Sequence, residues 1–224
     1  ETNKKSINVY EQMRDLPKIK SDRPSVKLVH SQCLQNIAVR IDLAYQSFFR
    51  KLKSDPKKAG LPRFKSQGRY DSITFPQYGN GCKIDKKKLW LSKIGNIYIE
   101  LHRDITNIKT IIIKREPTGK WFAVVSCEAE IKRKQGKQEP VGIDLGITTF
   151  ATLSNKKTIE NPRFLDKALK NIGKISRRIE SNPSKKNKHS LALAHEKVRN
   201  KRNDFHHKES SKLVSKYSKI FVEN

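Results

Sequence analysis

The sequence predicts an α+β protein in three parts: a helical segment over residues 1–60, an antiparallel β-barrel unit over 61–138, and the opening of an α/β domain over 139–224. Three observations predict it. Apolar residues recur at helical spacing from Ser25 to Lys53, the period changes to two between about Ser72 and Ile131, and after Val141 two strand-like runs precede long helical ones.

The first part rests on Val26, Val29, Leu34, Ile37, Ile41, Tyr45, Phe48 and Leu52, which share one helical face. With Ser25 placed after Pro24 as a cap, they predict a single amphipathic helix of about seven turns. The stretch SDPKKAGLPRFKSQGRY then breaks the pattern at Pro56, Gly60, Pro62 and Gly68. It is dense in cations, among them Lys57, Lys58 and Arg63, and reads as a basic loop.

The second part contains ITF, KIDKKKLWLSKIGNIYIELH, NIKTIIIKRE and KWFAVVSCEAE, separated by the turn signals GNG, IGN and PTGK. Lys109 and Lys114 fall on opposite parities of one strand, which suggests that both of its faces are partly covered, as in a small barrel. The run IKRKQGKQEP lacks periodicity and reads as a basic linker.

In the third part VGIDLGI and TTFATLS read as two strands joined by a tight turn near Ile147 and Thr148. A helix through Phe164, Leu165, Ala168, Leu169, Ile172, Ile175 and Ile179 follows, then a longer one starting near Ser184, and the short apolar run KIFVEN closes the chain. Asp144 stands inside the first of these runs between Gly142 and Gly146. An unpaired carboxylate in a dry strand is costly, so a metal ion, an arginine or a network of donors should compensate it. Neighbouring strands lie about 4.8 Å apart, so Glu223 at the end of the last strand could share a divalent cation with Asp144. Metal-dependent phosphodiester cleavage is the chemistry that such a pair serves. The flanking glycines would let backbone approach a metal or phosphate closely. The simpler alternative is an Asp hydrogen-bonded to backbone at a strand end.

Composition points to the partner. Lys and Arg number 49 against 22 Asp and Glu, a formal net charge of +27, and a polyanion is what normally neutralises such a surface. No apolar run approaches the roughly 20 residues needed to span a bilayer, and the basic segments carry few large apolar residues for an interfacial anchor. Cys33, Cys82 and Cys127 are too widely spaced for a zinc knuckle and read as reduced structural thiols.

The blocks CLQNIAVRIDLAYQSFFRKL, GLPRFKS, VGIDLGITTFATLS, IENPRFLDKALKNIGKISRRI and KVRNKRNDFHHKESSKLVSKYSKIFVEN, in this order, resemble the TnpB family. These are insertion-sequence-associated RNA-guided DNA endonucleases with a RuvC-like nuclease domain, related to compact type V CRISPR effectors. The resemblance implies a helical recognition segment, a wedge-like β-barrel and the N-terminal part of an RNase H-like (RuvC) α/β domain for the three parts. It implies a guide RNA and a target double-stranded DNA as partners, and cleavage beside a short adjacent motif by a two-Mg²⁺ site. Asp144 and Glu223 then match the first two catalytic and metal-binding acids. Ser31, Gln32, Gln35 and Gln77 fall where the family approaches the adjacent motif, and Gln suits adenine because it donates and accepts at once. For Gln32 and Gln35 the plainer reading is the polar face of a helix. Lys57, Lys58, Arg63, Arg177, Arg178, Lys185, Lys186, Lys201 and Arg202 are expected to contact nucleic-acid backbone in a sequence-blind cationic channel.

The chain opens on Glu-Thr-Asn and reads as an interior portion of a longer, prokaryotic or mobile-element-encoded protein that is cytoplasmic and nucleoid-associated. The family's third catalytic Asp and its four-Cys zinc element are expected beyond Glu223, which leaves the catalytic set here incomplete. Two other functions stay open on the sequence: a nuclease-inactive RNA-guided DNA-binding protein and a plain RNA-binding protein.

Overall fold

A computed structural model of the chain describes residues 8–129 and 136–223. The chain divides into two compact units, Glu1–Ala129 and Glu130–Asn224. Residues 131–135 of the expected basic linker lie outside the described residues.

The first unit opens with two short helices, α1 (Val9–Arg14) and α2 (Leu16–Asp22), the former closed by a reciprocal cap between Asn8 and Glu11. A 3₁₀ turn, Pro24–Leu28, precedes the long helix α3 (Ser31–Ser54). The sequence periodicity predicts one continuous helix from Ser25, and the structure breaks it at Val29 and His30, which are extended. The break turns His30 inward, where its ring lies 6.1 Å from Phe75. Gly81, at φ +89, leaves room for that ring, since a Cβ there would come within 2.6 Å of it.

Six strands follow: β1 (Ser72–Phe75), β2 (Cys82–Asp85), β3 (Lys88–Leu91), β4 (Gly95–Tyr98), β5 (Ile108–Arg115) and β6 (Trp121–Cys127). They form two antiparallel three-stranded sheets, β1-β5-β6 and β2-β3-β4. This corrects the expected barrel. Closure needs an unbroken hydrogen-bonded ladder, and no strand of one sheet pairs with a strand of the other among the described residues. Instead Phe75, Cys82, Leu89, Leu91, Ile111 and Ile113 of both sheets meet Cys33 of α3 in a single core. The opposite parities of Lys109 and Lys114 accompany a register shift between Ile108 and Thr110, a bulge rather than a sign of closure.

The second unit contains β7 (Val141–Leu145), β8 (Thr149–Leu153), β9 (Thr158–Glu160), α4 (Phe164–Ser181), α5 (Lys185–Lys216) and β10 (Ile220–Val222). The sheet order is β10-β7-β8-β9, with β7, β8 and β9 antiparallel and β10 parallel to β7. A parallel neighbour requires a long crossover, and the α4–α5 hairpin supplies it. Strand β9 went unread in the sequence because three residues carry too little alternation. Val141, Ile143, Ala151, Leu153 and Tyr217 form the core, with Leu213 of α5 packed on it. Ser184 caps α5 by accepting a hydrogen bond from the Asn187 amide at 3.2 Å.

Candidate functional site

Asp144 is the fourth residue of β7, and its environment differs from the dry strand expected. Val141 and Ile143 are buried, but Asp144 and Leu145 are exposed, because β7 runs on past the core. The carboxylate therefore meets solvent at a strand end, and its placement carries no large desolvation cost. Thr152 of β8 is its antiparallel partner. On the other side β10 runs parallel, with Phe221 opposite Gly142 and Val222 opposite Ile143. The recorded pairing ends at Val222, and Glu223 follows it as Asp144 follows Ile143. Glu223 is exposed as well. No Lys or Arg pairs with either acid among the described residues.

The two glycines differ in purpose. At Gly146 a Cβ would stand 2.7 Å from the Thr149 carbonyl oxygen, so the tight β7–β8 turn demands glycine. At Gly142 the nearest atom to an added Cβ is the Ser154 Cβ at 3.7 Å, ordinary contact. The Gly142 backbone and Ser154 exchange hydrogen bonds of 2.9 and 3.1 Å.

In the first unit the α3 start brings two of the four expected motif-reading residues together. Gln32 donates from Nε2 to Gln77 Oε1 at 2.8 Å. Ser31 Oγ instead accepts from Lys20 at 2.7 Å, and Gln35 is exposed one turn along. Gln32 Oε1 and His30 Nδ1 are buried with no hydrogen-bond partner, unusual for polar atoms away from water.

The expected backbone-binding cations fall into separate sets. Arg177 and Arg178 near the end of α4 and Lys185 and Lys186 at the start of α5 converge on the hairpin tip, across the short connection 182–184. All four are exposed. Lys201 and Arg202 sit further along α5, about 22 Å from Lys186 at 1.5 Å per residue. Lys57, Lys58 and Arg63 lie in the loop after α3, where Lys58 makes an exposed 3.0 Å ion pair with Asp55. Such a pair contributes little to stability.

Aromatic residues that the sequence did not single out surround Arg202. Phe205 of α5 lies 5.0 Å from Phe150 of β8 and 6.0 Å from Phe164 of α4, centroid to centroid, edge-on to both. Their sequence signal is only the i+3 step from Arg202 to Phe205, which a core reading explains equally well.

Among the described residues no group of three or more His, Cys, Asp or Glu side chains converges as a metal centre. Nor is any described helix long and apolar enough to cross a membrane.

Residues 122–224, from β6 through the whole second unit, match the family model OrfB_IS605, described as a probable transposase. InsQ of Escherichia coli K12 is 28% identical over 202 residues, covering 87% of this chain and 48% of that protein. A relative in Streptomyces pristinaespiralis is 27% identical over 205 residues, covering 88% of this chain and 49% of its own length. One in Mycobacterium tuberculosis is 25% identical over 192 residues, covering 75% and 41%. All three are named as RNA-guided DNA endonucleases.

The chain is thus similar to a transposase family over residues 122–224 and to proteins named as RNA-guided DNA endonucleases over most of its length. It spans about half the length of the relatives it matches. Both Asp144 and Glu223 fall inside the stretch that carries the family match, as do the hairpin-tip cations.

Proposed function

We propose that this protein is an RNA-guided DNA endonuclease of the TnpB family that uses Asp144 and Glu223 as metal-binding carboxylates for phosphodiester hydrolysis. The observation that supports it is the parallel β10–β7 register, in which Val222 pairs with Ile143 and each is followed by one of the two exposed acids. The sheet order β10-β7-β8-β9, with only β10 parallel to β7, is that expected for the opening of an RNase H-like domain.

Mg²⁺ suits these residues: it favours oxygen ligands, takes one or two protein carboxylates and completes its shell with water and phosphate oxygens. Bound there it would polarise a phosphoryl oxygen and lower the pKa of a water. The chain's own residues position the acids. Thr152 flanks Asp144, and Gly146 turns the strand tightly enough to leave the carboxylate at an open edge.

In the same reading residues 1–60 form a recognition segment, 61–138 a wedge and 139–224 the nuclease part. The hairpin-tip cations Arg177, Arg178, Lys185 and Lys186 neutralise nucleic-acid phosphates without reading sequence. Gln32 and Gln77 present coupled amides to a base edge of the adjacent motif.

The deciding experiment incubates the protein, with its copurified RNA, with a DNA library in Mg²⁺. Cleavage that disappears in Asp144→Ala while the RNA stays bound is the expected result. Cleavage that survives Asp144→Ala removes this site from the reaction.

A further inference from the structure

We propose that a cleft in the second unit, between the β7–β8 turn and the α4–α5 helices, holds one unstacked nucleobase of a single-stranded DNA. The choice of DNA rests on the nuclease reading above; the shape and chemistry of the cleft do not.

The cleft has a volume of about 490 Å³, and Phe150, Phe164, Phe205 and Ile147 form its apolar side. The ring of His206 stacks on Phe150 at 5.5 Å with an interplanar angle of 23°. Partly exposed aromatic faces are stacking surfaces for a base of any sequence. Arg163 and Arg202 line the same cleft. Neither forms an ion pair among the described residues, so both remain able to meet a phosphate. Asp166, also in the wall, offers an acceptor to an exocyclic amino group. A cleft that combines aromatic rings with cations and hydrogen-bonding groups fits a nucleotide better than a lipid.

Two features show that the walls are held in place. Asn161 donates to the Ile147 carbonyl at 2.6 Å and accepts from the Arg163 amide at 3.1 Å, so one side chain ties the turn to the rim. Arg163 itself is left-handed, at φ +46, a backbone state that costs a residue with a Cβ on the order of 1 kcal/mol and persists only when its surroundings enforce it. Ile147, meanwhile, is 91% exposed. An isoleucine held out in water beside a stacking slot matches the apolar wedges that proteins insert between base steps.

The cleft and Asp144 share the β7–β8 hairpin. The Phe150 carbonyl accepts from the Gly146 amide at 3.2 Å, and Thr152, two residues further along β8, is the partner of Asp144. Two residues of strand amount to about 7 Å.

The test uses the full chain in EDTA with an oligothymidylate carrying one 5-iododeoxyuridine, cross-linked by light and mapped by mass spectrometry. Cross-links to the peptides bearing Phe150, Phe164 or Phe205 are expected. Phe205→Leu should weaken binding of the oligonucleotide about ten-fold, the scale of one lost base stack. Ile147→Ser should lower the cross-link yield, and because Ile147 is a surface residue this variant decides if Phe205→Leu does not fold. Cross-links confined to other peptides, or binding and yield unchanged in the folded variants, overturn the proposal. Asp144→Ala should keep the cross-link while losing cleavage. Cleavage without a cleft cross-link removes the cleft and spares the nuclease, and a cleft cross-link without Mg²⁺-dependent cleavage does the reverse.

Discussion

At the scale of single residues, Gly146 and Gly142 give a paired test of the β7–β8 turn. A Cβ at position 146 would press on backbone, the Thr149 carbonyl oxygen, which cannot swing aside as a side chain can. Gly146→Ala should therefore destabilise the second unit by roughly 1–3 kcal/mol, and Gly142→Ala by less than about 1 kcal/mol. Urea denaturation measures both, and equal losses would contradict the assigned difference. The cysteines give a second residue-scale expectation. Burial, with a smaller contribution from the charge of Cys82, pushes the Cys33 thiol from 9.0 to about 11, and burial also raises Cys82, while Cys127 is exposed. Iodoacetamide at pH 8 should alkylate Cys127 and spare the other two. The sign of the pH dependence follows, because a folded thiol with a raised pKa stabilises fully below pH 9 and loses that contribution as pH climbs toward about 11. The thermal midpoint of the first unit should thus fall across this alkaline window, and Cys33→Ala should lessen the fall.

Between elements, the tip of the α4–α5 hairpin sets stability against binding. Lys185 and Lys186 occupy the first turn of α5, which has no acidic residue, so they oppose the helix dipole. Lys185→Glu with Lys186→Glu should raise helix stability by about 0.3–1 kcal/mol per site and weaken nucleic-acid binding. Denaturation midpoints and binding isotherms at one salt concentration measure the pair of effects. A rise in stability with unchanged binding would assign these lysines to a solvated surface only. The elements also show what was legible in the sequence. Long periodic runs were readable: α4, α5 and the β7–β8 hairpin lie where alternation and helical spacing put them. Short elements were not, because three-residue β9 and the two opening helices carry little periodicity. Tertiary contact also overrode local pattern at Val29 and His30, where a partly buried ring interrupts a helical repeat. The barrel expectation failed for a related reason, since parity along β5 reports a bulge as readily as a second covered face. At the site, the order of strands and helices left room for β10 to lie beside β7, and the two strands are neighbours. The exposure of Asp144 was not, because an apolar run does not reveal where a strand outlasts its core.

For the whole molecule, a net charge of +27 makes salt dependence the natural probe of nucleic-acid contact. Replacing Arg177 or Arg178 by Gln should make the slope of log K against log salt shallower by about 0.7 to 0.9 for each charge removed. An unchanged slope would move these residues off the nucleic-acid path. The central claim, that Asp144 and Glu223 grip a common divalent ion, is tested most directly by Mn²⁺ as a paramagnetic stand-in for Mg²⁺. Amide signals of Leu145 on β7 and Val222 on β10 should broaden together, and Asp144→Asn or Glu223→Gln should each abolish both effects. Broadening confined to one strand, or persisting on both in either variant, would contradict a shared ion at this edge of the sheet.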